Sequence, residues 1–157
     1  MNRNQKFNEL PICEVLGGFR KEDRNLLASY GEFLKYNSGE TVIEEQVNQD
    51  ALYLVLRGRL RAMHRKEDRA VTVGTIDRGE WFGEVNIFDP RTASTTVTAQ
   101  EDSYVWRIPR PKLEEFLNVS PHLGCQLLLG IAGVLACRVR RLVAKVNTTW
   151  EMSWNTL

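Results

Sequence analysis

Histidine is close to absent from this chain. His64 and His122 stand alone in 157 residues, far apart and on unlike elements, which excludes the cluster of histidines with a carboxylate that holds a catalytic metal. Cysteine is nearly as sparse. Cys13, Cys125 and Cys137 are odd in number and widely spaced, which excludes a disulfide framework and a zinc pattern and marks them as reduced, mostly buried thiols. No run is long and apolar enough for a membrane span, and Met1 to Lys6 lead into no apolar signal core, so a cytoplasmic location is expected. Neither sign of charge dominates: 21 Lys and Arg against 20 Asp and Glu leave a net charge of +1, so bulk electrostatics favour neither nucleic acid nor an anionic membrane as partner. There is no internal repeat and no low-complexity tract. No nucleophile elbow, P-loop or paired-carboxylate arrangement stands in a strand-to-helix context that would support it, and the chain reads as a non-enzyme.

What is present is the composition of a soluble globular protein, 43% hydrophobic and 26% charged, with a length that suits one domain over 1–157. Apolar residues Leu26, Leu27, Tyr30, Phe33 and Leu34 fall at helical spacings after the polar start Arg20-Lys21-Glu22-Asp23, which predicts one short helix running into a first strand. Beyond Asn37-Ser38-Gly39 the pattern turns β-rich, with strands expected at 41–45, 52–57, 59–65, 71–76 and 103–108. Gly58 and Asp77-Arg78-Gly79 break them at intervals that suit a small sandwich or barrel.

The last third is helical. Pro111 and Pro121 suit first helical turns, the second behind Ser120 as N-cap, so a short helix at 112–117 precedes a long one from Pro121 to near Thr148. Leu128, Ile131, Leu135, Val139, Leu142 and Val146 advance along it by threes and fours, and Leu123, Leu127, Val134 and Val143 widen the stripe. At about 1.5 Å per residue this helix spans roughly 40 Å, more than one small domain needs to cover its core. The surplus predicts a partner, most simply the same helix of a second copy. Because the stripe holds no strict heptad, a two-helix interface is expected and not an extended coiled coil.

The segment Trp81-Phe82-Gly83-Glu84, followed by Val85 to Phe88, the turn Asp89-Pro90 and the polar run Arg91-Thr92-Ala93-Ser94-Thr95-Thr96, brings together a glycine, a carboxylate, a short apolar stretch and small hydroxyl residues. Such a set can cradle a phosphorylated ribose. With Gly39-Glu40, Asp50, Leu52-Tyr53, Val55 and Gly58 before it, and Gly79, Thr96-Val97, Ala99 and Trp106 to Pro109 around it, the chain resembles the cyclic-nucleotide-binding domain family of catabolite-activator regulators, kinase regulatory subunits and gated channels. The resemblance runs from about Leu16 to about Leu142. It implies a mainly β fold: a β-roll (jelly-roll, double-stranded β-helix) over about 36–109 with an N-terminal helix and two C-terminal helices over about 111–148, the last long and dimerising.

The resemblance also implies a phosphate-binding cassette. Phe82, Gly83 and Glu84 match its opening, with Glu84 as the carboxylate for the ribose hydroxyl, while Val85, Asn86 and Ile87 take the short helix. Thr92, Ser94 and Thr95 belong to the hydroxyl-rich run, Ser94 at the small position after the arginine. The arginine itself falls on Ala93. Arg91, two positions earlier, and Arg138 on the long helix are the cations that could replace it; their plainer readings are a solvated turn residue paired with Asp89 and a solvated helix face. Val73 and Gly74 are expected on the strand facing the cassette, as the wall for a base. Gln46-Val47 stand where the family has Gly-Asp in a tight turn, and Trp150 and Trp154 are candidates for an aromatic lid or a partner contact.

The expectation is therefore a non-catalytic regulatory or sensor domain of a stand-alone bacterial kind. It binds a small phosphorylated ligand, cAMP or cGMP being the candidates, and signals through a homodimer of helix 121–148. No metal or other cofactor is implied. Only Asn147 to Leu157 follow that helix, too little for a helix-turn-helix, so no DNA binding by this chain alone and no membrane partner are expected. The alternative is a degenerate domain that binds no nucleotide and serves as a dimerisation or protein-interaction module for an unidentified protein partner.

Overall fold

Strand β3 (Ala51–Arg57) is buried on both faces, and that single fact organises the molecule. In a computed structural model, which describes residues 8–66 and 69–154, its residues Ala51, Tyr53 and Val55 join one apolar cluster while Leu52, Leu54 and Leu56 join another. An uninterrupted apolar run is what a strand covered on both sides requires. The first cluster lies between two four-stranded antiparallel sheets. One has the order β1 (Glu32–Tyr36), β8 (Ser103–Pro109), β3, β6 (Trp81–Phe82); the other has β2 (Thr41–Ile43), β7 (Thr96–Ala99), β4 (Leu60–Lys66), β5 (Arg69–Ile76). Leu60, Ile76, Val97 and Ala99 close the roll from the second sheet.

The second cluster fills the space between the outer face of the first sheet and the helices. Trp81 and Trp106 meet edge to face at 6.0 Å among Leu16, Phe19 and Leu27, and against Leu113, Phe116, Leu127 and Ile131 of the C-terminal helices. The Trp106 indole N–H donates to the Ala28 carbonyl at 3.2 Å, which ties the sheet to α1 (Lys21–Ala28). The polypeptide thus forms a mainly β roll with flanking helices α1, α2 (Glu84–Phe88), α3 (Arg110–Val119) and α4 (Pro121–Trp154).

The expected short helix ends at Ala28 and runs into the first strand from Glu32; between them Gly31 sits where a side chain would strike the Trp106 ring and the Arg107 carbonyl at 2.5 Å. Other expectations change. Strand β2 stops at Ile43, not Glu45, since Gln46 turns the chain with φ 65°. The turn lacking glycine is therefore made by a left-handed glutamine. β6 and β7 were not expected as strands. Helix α4 runs to Trp154, past Thr148; the side chains of Trp150 and Trp154 lie outside the described residues. The cysteines are not buried: Cys125 is exposed and Cys13 and Cys137 are half-buried.

Burial also splits the α4 stripe into two faces. Leu127 and Ile131 are packed on the domain, with Leu123, Val134 and Leu135 partly so. The exposed residues Cys125, Leu129, Ala132, Ala136, Val139, Val143 and Val146 form a second face with steps of four and three residues throughout. That is the a/d spacing of a coiled-coil seam, and it corrects the reading that no heptad is present: two overlapping stripes had masked it. Among the described residues, no helix is long and apolar enough to cross a membrane.

Candidate functional site

The cassette starts where β6 pairs with β3, Phe82 opposite Tyr53 and Trp81 opposite Leu54, with the Phe82 and Tyr53 rings stacked at 4.8 Å. Gly83 then turns the chain with φ 82° into α2. A Cβ there would lie 2.6 Å from the Ala51 carbonyl and 2.7 Å from Gln49 Nε2, so position 83 demands glycine twice over, for its left-handed backbone and for its closeness to β3. Gln49 fixes the floor of this turn. Its Nε2 donates to the Ala51 carbonyl and its Oε1 accepts from the Ala51 amide, both at 2.6 Å. Gly83→Ala should cost about 2 kcal/mol, read as a melting temperature about 4–8 °C lower for a chain of this size; an unchanged melting curve would reject this account of the turn.

Glu84 follows, 3% exposed. Its Oε1 accepts from Nη1 of Arg138, and Nη2 of the same guanidinium donates to the Trp81 carbonyl. One arginine of α4 therefore clamps both ends of the β6–α2 corner. Glu84 Oε2 is buried and has no hydrogen-bond partner among the described residues. A buried carboxylate oxygen without a donor is costly.

Asn86 holds the far end of the cassette. Its Nδ2 donates to the carbonyls of Arg91 at 2.6 Å and Thr92 at 3.2 Å, and Asn48 bridges to Thr92. This anchoring sets the next residues. The Ala93 amide donates to the Val47 carbonyl and its carbonyl accepts from the Gln46 amide, which points Ala93 inward, 5% exposed, into the cluster between the sheets. Arg91 faces the other way: its side chain is 78% exposed and paired with Asp89 at 3.0 Å. The structure thus corrects Arg91 as a replacement for the missing arginine, because the Asn86 anchor holds its backbone and the neighbouring carboxylate takes its charge. Thr92 and Ser94 are exposed, Thr95 half-buried, and His64 Nδ1 lies 2.5 Å from Glu45 Oε1 and 3.3 Å from the Ser94 carbonyl.

On β5 the register against β4 slips so that Ala62 faces Gly74 and Met63 faces Thr72, leaving Val73 unpaired in a bulge and half-exposed. Gly74 lies on the inner side with Ile76 by strand alternation. A Cβ at Gly74 would meet nothing within 4 Å. The site residues read from the sequence therefore divide: Phe82, Gly83, Glu84, Asn86, Ala93 and Arg138 converge around the β6–α2 corner and its loop, Val73 and Gly74 stand on the facing sheet, and Val85 and Arg91 turn to solvent. Sequence reasoning missed Gln49, whose role depends on a backbone turn that no motif announces.

A family model described as the cyclic nucleotide-binding domain matches residues 33–120, more than half of the chain. The lysophospholipase NTE1 of Chaetomium globosum is 27% identical over 118 residues, which are 74% of this chain and 8% of that protein, so the chain spans less than a tenth of this curated relative. A cyclic nucleotide-binding domain from Methylobacillus flagellatus aligns with TM-score 0.77 and 22% identity, over 82% of this chain and 72% of that one. The regulatory subunit of a cAMP-independent protein kinase A from Trypanosoma cruzi, bound to guanosine, aligns with TM-score 0.59 and 21% identity, over 66% of this chain and 38% of that one.

Proposed function

Because this chain belongs to the cyclic nucleotide-binding domain family, we propose that it is a non-catalytic regulatory module whose cassette receives a ribose-bearing ligand and passes that event to α4. The observation that carries this reading is the clamp of Arg138 on Glu84: the carboxylate suited to a ribose hydroxyl is held by the very helix that would carry the signal. A hydroxyl donating to Glu84 Oε2 gives that buried acceptor the bond it lacks and repositions the carboxylate that Arg138 follows. A ligand shifts a conformational balance only through contacts it makes better in one state, and this contact is such a difference. The guanosine-bound trypanosomal neighbour supports ribose as the recognised element. The lysophospholipase activity in the name of the fungal relative concerns a protein of which this chain matches 8%, and the regulatory reading does not draw on it.

The output of this module is a pair of α4 helices. The exposed seam from Cys125 to Val146 is continuous with an apolar groove of about 610 Å³, lined by Phe88, Leu117, Leu128, Leu129 and Leu135, and α4 of a second copy would cover both. Phe88 ends α2, so the same interface reaches the cassette.

Titration followed by calorimetry or thermal shift tests the ligand reading, with cAMP, cGMP, adenosine and guanosine in turn. A ligand at a hundred times its Kd stabilises the fold by about 2.7 kcal/mol, and Glu84→Gln should abolish the response. Were none of the four to raise the melting temperature, the chain would instead be a dimerisation module with a closed pocket, the reading that the occupied Oε1 of Glu84 would then favour.

A further inference from the structure

We infer that the ligand of this site is uncharged where it meets Ala93: a nucleoside and not a nucleotide. This rests on the ribose-site reading above and adds the chemical class of the ligand. The inner surface at this end of the roll is built from small apolar residues. Ala93 is buried with Val97 and Ile43, Ala62 packs against the same cluster, and the space above Gly74, which pairs with Ala62, is open. On the same cassette, tied to the Ala93 loop through the bond from Asn86 to the Thr92 carbonyl, Glu84 supplies a buried oxygen with no donor.

The cations around the hollow are committed elsewhere. Arg138 is bonded to Glu84 and to the Trp81 carbonyl, so that pair carries no net charge. Arg91 is paired with Asp89 and faces solvent. Arg61 precedes Ala62 and so points to the opposite face of the sheet. His64, which reaches the Ser94 carbonyl next to Ala93, is paired with Glu45. A phosphate brought to Ala93 would give up its hydration for methyl groups with no arginine to pair it, which is strongly unfavourable. A nucleoside loses nothing comparable there: it brings neutral hydroxyls, one of which satisfies Glu84 Oε2, and an aromatic base that fits an apolar wall.

Calorimetry on the full chain with adenosine, guanosine, cAMP and cGMP decides the matter. The expected result is that a nucleoside binds at least tenfold more tightly than its own cyclic monophosphate, and that Ala93→Arg narrows or reverses this ratio. Gly74→Leu, whose Cβ meets nothing within 4 Å, should abolish nucleoside binding while the unliganded protein keeps its secondary-structure spectrum and a cooperative melting transition. It keeps the site testable should Ala93→Arg fail to fold. A cyclic nucleotide that binds as tightly as the nucleoside or more so overturns the inference and leaves the ribose site standing. Nucleoside binding that survives Gly74→Leu overturns the placement in this hollow. Binding of none of the four compounds overturns the inference together with the reading on which it rests.

Discussion

Arg138→Ala should lower the melting temperature by about 6–12 °C. The substitution leaves Glu84 buried with neither oxygen bonded and removes the donor to the Trp81 carbonyl. Breaking a buried ion pair costs about 3–5 kcal/mol; the Arg138 side chain is 33% exposed, so water can partly replace it and the lower end, about 3 kcal/mol, is expected. A chain of this size loses about 2–4 °C per kcal/mol. Thermal denaturation at matched concentration measures it. The double variant Arg138→Ala with Glu84→Gln should recover part of the loss, because an amide in that place carries no unpaired charge. A single variant within about 1 °C of the parent would show that the clamp holds nothing.

Val139→Glu together with Val143→Glu should abolish self-association without harming the fold. Both positions are more than half exposed in the isolated chain, so the substitutions cost the monomer little. In a two-helix seam they would each lose the burial of a valine, about 1.5 kcal/mol or more per side chain, and four carboxylates would crowd one interface. The dissociation constant should rise by at least about a thousandfold, visible in sedimentation velocity as conversion of dimer to monomer at an unchanged secondary-structure spectrum. A parent protein that sediments as a monomer at every accessible concentration, or a charged variant that still dimerises, would remove the seam from the functional account.

The order of elements was largely written in the sequence, and the reasons are local. Gly58 and the Asp77-Arg78-Gly79 turn mark strand ends because tight turns need their backbones, and the continuous apolar run of β3 announces a strand covered on both sides. β6 is too short for any periodicity, and β7 is concealed because the alternation Thr96-Val97-Thr98-Ala99 continues a hydroxyl-rich loop. In the site, Gly83 and Glu84 were legible in the sequence only through the resemblance of their segment to the family's cassette. The role of Arg138 was not. Periodicity tells which face of α4 an arginine occupies, but its partner lies 54 residues away in sequence, and only the packing of α4 across the β6–α2 corner brings the two together. The seam was hidden for a related reason: the residues that face the domain and those that face away are all apolar, and burial alone separates them.

The position of Arg138 along α4 has a mechanical consequence. That arginine bonds the β6–α2 corner from near the middle of α4, and α4 continues to Trp154, roughly 24 Å further at about 1.5 Å per residue. On the proposed reading the clamp would serve as a fulcrum near the middle of α4, whose first half packs on the domain. A tilt of only about 5° at that point would carry the far end through about 2 Å, given the same rise per residue. A shift of the Glu84 carboxylate would on that reading reach the end of the helix enlarged, as displacement rather than as a new contact.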